Sequence, residues 1–283
     1  MKIGANTWIW ASPFSNETFD LIPKVKEMGF DTIEIAVENL NNIDLPKLNS
    51  LLKENELSII LCGAFGLTRD ISNMDENIRN IGKAYIIDCI KMAEALDCKL
   101  FSGPIYSAVG KTRMVSSEQK KQEWAWCVEN LKEISPIAQA AGVTIGIEPL
   151  NRFETDMINL VDQALDLIQD VGSDVYKVHI DMFHSNIEEK SIPDTIRKLG
   201  NQLCHLHACE NDRGAPGSGH QDWIGVRDAL NEIGYKGSAV IESFIPGVEE
   251  IAKAASIWRP LAKSQDDLAK EGLDFLRNLF KDQ

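Results

Sequence analysis

A regular alternation of short β-rich runs with longer amphipathic segments extends along all 283 residues and constrains the fold more than any other feature. The β-rich runs predict strands over residues 3–8, 32–37, 57–62, 99–103, 143–148, 176–181, 203–207 and 238–242. Apolar residues at helical spacing predict helices over residues 16–28, 45–55, 77–96, 117–141, 156–171, 191–199 and 222–233, and a last helical region over 249–280, interrupted around Pro260. Parallel strands need helical crossovers, and eight such units in succession can close into a (β/α)8 barrel.

Helix-ending glycines and capping residues support these boundaries, and the absence of a linker supports a single domain. Gly29, Gly142 and Gly172 directly follow predicted helices, and Ser116 or Ser117 is a suitable N-cap for the helix over 117–141. An open doubly wound sheet normally carries a glycine-rich turn after its first strand, whereas residues 6–8 read Asn-Thr-Trp. The sequence has no linker, low-complexity segment or clear repeat, so we interpret residues 1–283 as one TIM-barrel domain.

Ionisable residues end four consecutive predicted strands. Glu148, Asp181, His207 and Glu242 end the fifth to the eighth strand in that order. The chemistry of a (β/α)8 barrel lies at the carboxyl ends of its strands, so these side chains should meet at the barrel mouth. Two Glu, one Asp and one His form a mostly oxygen donor set, which suits Mn²⁺, Mg²⁺ or Co²⁺. The sequence therefore predicts a divalent metal site with coordination positions left open for a chelating substrate.

The alternative interpretation of these four residues is a salt-bridge network at the rim. No Lys or Arg ends the same strands, however, and close carboxylates repel one another without a cation. The other histidines have different expected places. His205 and His179 are interpreted as core residues and His220 as exposed, whereas His184 lies at the mouth, where it is available to substrate.

Composition excludes several classes of partner and predicts a location. The chain has 29 Lys and Arg against 43 Asp and Glu, a net charge of −14, and no basic cluster for nucleic acid or an anionic membrane. No stretch approaches the apolar length of a membrane span, and the N-terminus lacks a signal-peptide pattern. The six cysteines form no CxxC pair and are irregularly spaced, which is typical of a reduced, cytoplasmic protein.

Several motifs, densest between residues 148 and 259, resemble those of one family. Residues 148–154 read EPLNRFE, 181–189 read DMFHSNIEE, and 205–213 read HLHACENDR. PGSG at 216–219 is followed by Trp223, IESF occupies 241–244, and Trp258-Arg259 follows. Together they resemble the ketose 3-epimerases (D-tagatose, D-psicose or allulose, and L-ribulose 3-epimerases), a branch of the xylose-isomerase-like barrels.

The resemblance implies a role for each matching residue. Glu148, Asp181, His207 and Glu242 would be the metal ligands, with Glu148 and Glu242 also the acid/base pair. Glu154, His184 and Arg213 would contact the substrate near its C1–C3 oxygens. Family members are commonly homodimers or homotetramers, which is the assembly expected here. Three residues depart from the family pattern: Cys209 replaces a glycine, Ser243 a proline and Asn6 an aromatic residue. The departure at Asn6 should affect recognition of the far end of the sugar.

The implied reaction explains why these groups are needed. A ketose is epimerised at C3 by removing its proton, forming a cis-enediolate and returning a proton to the opposite face. One divalent ion per subunit, Mn²⁺ or else Mg²⁺ or Co²⁺, would stabilise that charge, and one base is needed on each face. Trp10, Phe65 and Tyr106, together with Trp223, are expected to line the pocket.

Other functions remain compatible with the same residues. A related aldose–ketose or inosose isomerase, or a dehydratase, would keep the metal and the enediolate chemistry. A non-catalytic sugar-binding protein would not need two carboxylates beside a metal. Endonuclease IV-like DNA repair shares the barrel, but it uses a multi-zinc site rich in histidine. The five histidines and the net charge of −14 oppose that interpretation.

Overall fold

The computed structural model describes residues 1–281, apart from the side chain of Glu250. Eight parallel strands form a closed barrel in which each strand pairs with its neighbours in the sequence and the last strand pairs with the first. The strands are β1 (Lys2–Asn6), β2 (Thr32–Val37), β3 (Ser58–Gly63), β4 (Leu100–Gly103), β5 (Thr144–Ile147), β6 (Tyr176–Asp181), β7 (Leu203–His207) and β8 (Ser238–Ile241). The predicted (β/α)8 barrel is therefore confirmed.

The helices that follow these strands form the outer layer. They are α1 (Leu21–Glu27), α2 (Leu45–Glu54), α3 (Glu76–Ala95), α4 (Ser117–Ala141), α5 (Val161–Val171), α6 (Met182–Glu188), α7 (Ile192–Leu199), α8 (Trp223–Glu232), α9 (Glu249–Ala255) and α10 (Gln265–Leu279). Helix α4 has the predicted bounds: the Ser116 side chain accepts from the backbone N–H of Gln119, and Gly142 ends the helix in the left-handed conformation.

The first predicted strand was too long at its carboxyl end. Strand β1 stops at Asn6, and Thr7–Ile9 form a 3₁₀ turn that Asn6 caps by accepting a hydrogen bond from the backbone N–H of Trp8. Asn, Asp and Ser side chains compete in this way with regular backbone pairing. The turn brings Trp8 to the mouth of the barrel, where it packs against Phe244 with ring centroids 5.5 Å apart.

Three helix predictions also needed correction. The predicted helix over 16–28 is a 3₁₀ turn, Asn16–Thr18, followed by α1, because a Ser15–Thr18 capping box closes the first turn locally. The predicted helix over 156–171 begins only at Val161, because its first residues form the β5–α5 loop. Helix α6 was not predicted, and it begins directly after β6, where the Asp181 side chain caps it.

The last helical region divides into α9 and α10, as its predicted interruption around Pro260 requires. Helix α9 and the two residues that follow it, 256 and 257, cover one side of the barrel mouth. Ile251, Ala255 and Ile257 pack there in one cluster with Trp8 and Phe244. None of the helices in the described part of the chain combines the length and apolar character that crossing a bilayer requires. All six cysteines are free thiols.

Candidate active site and metal centre

The four residues that end strands β5 to β8 or directly follow them converge at the mouth of the barrel. His207 Nδ1 lies 3.3 Å from Glu242 Oε1, 3.5 Å from Asp181 Oδ2 and 3.8 Å from Glu148 Oε1. All four side chains are at most 5% exposed. The parallel register explains the convergence, because Asp181 pairs with His207 and His207 pairs with Val240, two residues before Glu242.

This cluster fits a divalent cation. His207 Nδ1 is buried and has no hydrogen-bond partner within residues 1–281. Glu148, Asp181 and His207 offer donor atoms that all lie within 4.8 Å of one another, and Glu242 adds a further carboxylate beside the imidazole. Buried carboxylates repel one another unless a cation lies between them. Their oxygen-rich donor set suits a hard or borderline ion such as Mn²⁺, Mg²⁺ or Co²⁺.

Arg213 brings a positive charge to the cluster from the β7–α8 loop. Its Nη1 donates to Asp181 Oδ2 at 2.5 Å and to Glu242 Oε2 at 2.7 Å. The guanidinium also lies over the ring of Phe183, 4.3 Å from its centroid. Part of the alternative salt-bridge network is thus present, although its cation comes from a loop and not from a strand end. Burial acts to raise the pKa of Asp181, but Arg213 and the neighbouring histidines together outweigh it and hold that pKa well below its usual value.

Glu148 has the opposite electrostatic environment. Burial raises its pKa well above the usual glutamate value, and the negative charges of Glu242 and Asp181 act in the same direction, while His207 opposes them. A raised carboxyl pKa is what a general acid/base working near neutral pH requires. Glu148 and Glu242 approach the same imidazole from two different strands, so the structure places two carboxylates around one site.

The three residues expected to contact substrate, Glu154, His184 and Arg213, are joined through Asn151 into a chain of hydrogen-bonded side chains, here called the arm. Asn151 Nδ2 donates to Glu154 Oε1 at 2.8 Å, and the Asn151 side chain also lies 2.8 Å from His184 Nδ1. On the other side of the ring, His184 Nε2 is 3.1 Å from Arg213 Nη2. Burial lowers the pKa of His184 to about 3, so this imidazole is neutral at physiological pH. Burial raises the pKa of Glu154.

A cavity of about 310 Å³ opens above this arm and the carboxylate cluster. Its polar wall contains Glu148, Glu154, His184, Arg213 and Glu242. Its apolar wall includes Trp8, Phe65, Leu150, Phe153, Phe244 and Ile251. A concave, mostly apolar site with a few convergent polar groups is the usual form of a small-molecule site. Phe65, one of the aromatic residues expected at the pocket, belongs to this apolar wall.

Trp10, Tyr106 and Trp223 were also expected at the pocket, but among the described residues they are not part of the cavity lining. The indole of Trp10 donates to Asp266 Oδ1 at 2.6 Å and so faces the start of α10. Tyr106 is fully buried, and its hydroxyl donates to the backbone carbonyl of Ile158. Trp223 donates to Glu210 at 2.6 Å. Each ring was misplaced because its polar atom has a partner that sequence spacing does not show.

Asn6 also lies away from the cavity, contrary to the expectation that it would affect recognition of the sugar. Its side chain is fully buried in the barrel, where Nδ2 donates to Glu34 Oε1 at 2.8 Å. Trp8, two residues further along the chain, lines the cavity instead. His179 and His205 are fully buried and His220 is exposed, as predicted.

Glu34, on β2, is a residue of this region that the sequence analysis did not identify. Its carboxylate is fully buried and lies 2.6 Å from both His205 Nε2 and His207 Nε2. A sequence signal was present, because Glu34 is the one charged residue in the apolar run TIEIAV over residues 32–37. An ionised side chain within such a strand needs a buried partner.

Comparisons with known proteins agree with the motifs. A family model described as a xylose isomerase-like TIM barrel matches residues 22–279. The D-psicose 3-epimerase of Ruminiclostridium cellulolyticum is 33% identical over 287 residues, covering 98% of this chain and 97% of that protein. The L-ribulose 3-epimerase of Mesorhizobium japonicum is 28% identical and covers 97% and 93% of the two chains.

Solved structures give the same result in three dimensions. A crystal structure of D-psicose 3-epimerase with D-tagatose, from Clostridium cellulolyticum H10, superposes with a TM-score of 0.91 at 32% identity and covers 99% of both chains. A structure of L-ribulose 3-epimerase superposes with a TM-score of 0.93 at 27% identity, covering 99% of this chain and 94% of that one.

Proposed function

Since this chain belongs to the ketose 3-epimerase family of the xylose isomerase-like TIM barrels and is thus an isomerase, we propose that it epimerises a free ketose at C3 with the help of a divalent cation. One observation carries the proposal. Two buried carboxylates, Glu148 and Glu242, flank the unpartnered Nδ1 of His207 at the floor of a cavity. A purely structural rim network would not need an imidazole nitrogen facing three carboxylates.

The residues that would hold the cation are Glu148, Asp181, His207 and Glu242. Mn²⁺ is the proposed ion, with Mg²⁺ or Co²⁺ as substitutes and one ion per subunit. When bound, the cation would supply Lewis acidity to the substrate oxygens. Arg213 balances the remaining negative charge, because it already bonds to both Asp181 and Glu242.

Proton transfer is the work of the two glutamates. One carboxylate takes the proton from C3, and the C3–H electron pair moves toward the C2 carbonyl to form a cis-enediolate. The other carboxylate then delivers a proton to the opposite face of C3, and the carbonyl forms again. Burial raises the pKa of Glu148 and a bound cation would lower it, so the two effects oppose each other in a group that alternates between acid and base. The glutamates exchange roles when the reaction runs in reverse.

The cavity determines what is held beside these bases. Arg213, His184 and Glu154 lie together on its polar wall and can orient the oxygens next to C3. Its volume of about 310 Å³ is suited to a monosaccharide, and we propose a free ketohexose or ketopentose as substrate. The homodimeric or homotetrameric assembly and the cytoplasmic location expected from the sequence are part of this proposal, and the six free thiols support the location.

A second candidate function has a specific observation in its favour. The 3-dehydro-D-guloside 4-epimerase of Escherichia coli is 29% identical to this chain over 252 residues, covering 87% of this chain and 93% of that protein. Epimerisation at C4 of a keto-sugar would use the same two-base chemistry one carbon further along. The position of isotope incorporation separates the two reactions.

The test is an incubation of the metal-depleted protein with Mn²⁺ and a panel of ketoses in D₂O, followed by NMR. The panel contains fructose, psicose, tagatose, sorbose, ribulose and xylulose, and a parallel sample lacks Mn²⁺. Deuterium at C3 in a C3-epimeric product, dependent on Mn²⁺, is the expected result. Deuterium at C1 or C2 with an aldose product would instead assign the protein to the aldose–ketose isomerases. Unchanged sugars despite bound metal would contradict the proposed reaction.

A further inference from the structure

A buried polar group lies on the opposite side of His207 from the ligand carboxylates. Glu34 Oε1 is 2.6 Å from His207 Nε2 and Oε2 is 2.6 Å from His205 Nε2, so one carboxylate spans two histidines of β7. Asn6 on β1 supplies the third hydrogen bond to this carboxylate, because its Nδ2 also donates to Oε1. All four side chains are fully buried, and they come from three different strands of the barrel.

The chemistry of these contacts determines which nitrogen of His207 carries a proton. An ionised carboxylate only accepts hydrogen bonds, so His207 Nε2 must donate to Glu34. In the neutral imidazole the other nitrogen then has a lone pair. That nitrogen is Nδ1, which faces Glu148, Asp181 and Glu242 and has no other hydrogen-bond partner among the described residues.

We propose that Glu34 is a positioning residue for the metal site, which fixes the tautomer and the ring orientation of His207 so that Nδ1 is presented to the cation. The inference rests on the metal centre in the proposed function and adds a residue to it. Partners of this kind also raise the basicity of the ligand imidazole. Asn6 belongs to the same arrangement, which gives this departure from the family pattern a role in the barrel interior and not in sugar recognition.

Glutamate is suited to this position because it accepts from both histidines at once. In Glu34→Gln, the amide oxygen accepts from only one histidine, and the amide nitrogen must face the other. The variant also removes the negative charge that strengthens the hydrogen bond from His207. Either effect lowers the affinity of the site for a cation, whereas the carboxylates that form the remainder of the site are unchanged.

The first test measures Mn²⁺ affinity, by electron paramagnetic resonance of the free ion, in wild type and in Glu34→Gln. The expected result is a dissociation constant about 10- to 100-fold higher in the variant. Asp70→Asn is the matched control: this carboxylate is equally buried but pairs with Lys111, and its loss should leave the Mn²⁺ dissociation constant within about twofold of wild type. Equal affinity of the folded Glu34→Gln variant and wild type would overturn the proposal.

The second test needs no variant and therefore does not depend on whether Glu34→Gln folds. NMR of ¹⁵N-histidine-labelled wild type, saturated with diamagnetic Mg²⁺, should show the His207 proton on Nε2. A proton on Nδ1 would overturn the proposal, and so would a failure of the wild type to bind either ion. Neither test uses turnover. A ketose panel without reaction, combined with weakened Mn²⁺ binding in Glu34→Gln, would refute the proposed reaction and support the role of Glu34.

Discussion

Replacing Glu242 by Gln separates proton transfer from the other functions of the site. The two side chains have nearly the same shape, so the cavity is preserved. Arg213 keeps its 2.5 Å hydrogen bond to Asp181, and the amide oxygen can still accept the bond that Glu242 Oε2 now receives at 2.7 Å. What the variant loses is one of the two proposed bases and one of the charges that face His207 Nδ1.

The size of the effect follows from these two losses. Removing a positioned general base typically slows a reaction by about 10²- to 10⁴-fold, which corresponds to roughly 2.7–5.4 kcal/mol in the activation barrier. The lost ligand charge weakens cation binding, so the rate must be measured at saturating Mn²⁺. Under those conditions we expect kcat for epimerisation to fall by about 10²- to 10⁴-fold.

The assay follows isotope exchange and epimerisation together in D₂O. With Glu148 as the remaining base, one C3 epimer should exchange its C3 proton for deuterium and return to itself without being epimerised. Glu148→Gln should show the same behaviour for the other epimer, so each variant is the control for the other. Exchange of the same epimer by both variants would refute the two-base mechanism. Epimerisation by Glu242→Gln at more than about a tenth of the wild-type rate would refute the role of Glu242.

Three further predictions concern residues around the site. Arg213→Lys should lower kcat/KM by about 10- to 100-fold with metal content unchanged. A lysine ammonium lacks the second arm of the guanidinium, which makes the charge-assisted hydrogen bond to His184. Kinetics on metal-saturated protein check this prediction. Tyr106→Phe should lower the free energy of unfolding by about 1 kcal/mol, because it removes the hydrogen bond to Ile158. It should change kcat/KM less than twofold, since the ring does not line the cavity. A larger change in kcat/KM would show that Tyr106 acts in substrate binding after all. Arg113→Gln should cost about 1 kcal/mol at pH 7, a modest value because Arg113 is partly exposed. Burial acts to raise the pKa of Asp156, but Arg113 and Lys120 together outweigh it. The part of this stability that Arg113 contributes is therefore present above the unfolded pKa of about 4 and is lost as pH falls through the lower folded value. Denaturant unfolding from pH 3 to pH 7 should therefore show wild type and variant converging in acid, and a constant difference would contradict the ion pair.

The architecture and the convergence of four ionisable side chains at the barrel mouth could be predicted from the sequence, because both follow from strand periodicity. Once eight parallel strands close into a barrel, their carboxyl ends meet at one face. Ionisable residues at the ends of four consecutive strands then have to lie close together. Asp181 and His207 are paired across β6 and β7 for this reason. No detail of the loops is needed for that conclusion.

The contacts made by loops and by the barrel interior could not be predicted in this way. Arg213 reaches two carboxylates from a loop whose backbone at this residue is left-handed, with φ of 68°. Glu34 has its partners 171 and 173 residues away in the sequence. Trp10 and Tyr106 are expected from the sequence to line the pocket, whereas tertiary hydrogen bonds direct both rings elsewhere.

Anomalous diffraction at the manganese edge, from crystals of the protein grown with Mn²⁺, tests the central claim most directly. That claim is that Glu148, Asp181, His207 and Glu242 together hold one divalent cation at the mouth of the barrel. We expect a single strong peak per chain within about 2.0–2.3 Å of His207 Nδ1 and of an oxygen from each carboxylate. A peak elsewhere, or no peak at this site at saturating Mn²⁺, would refute the proposed metal centre.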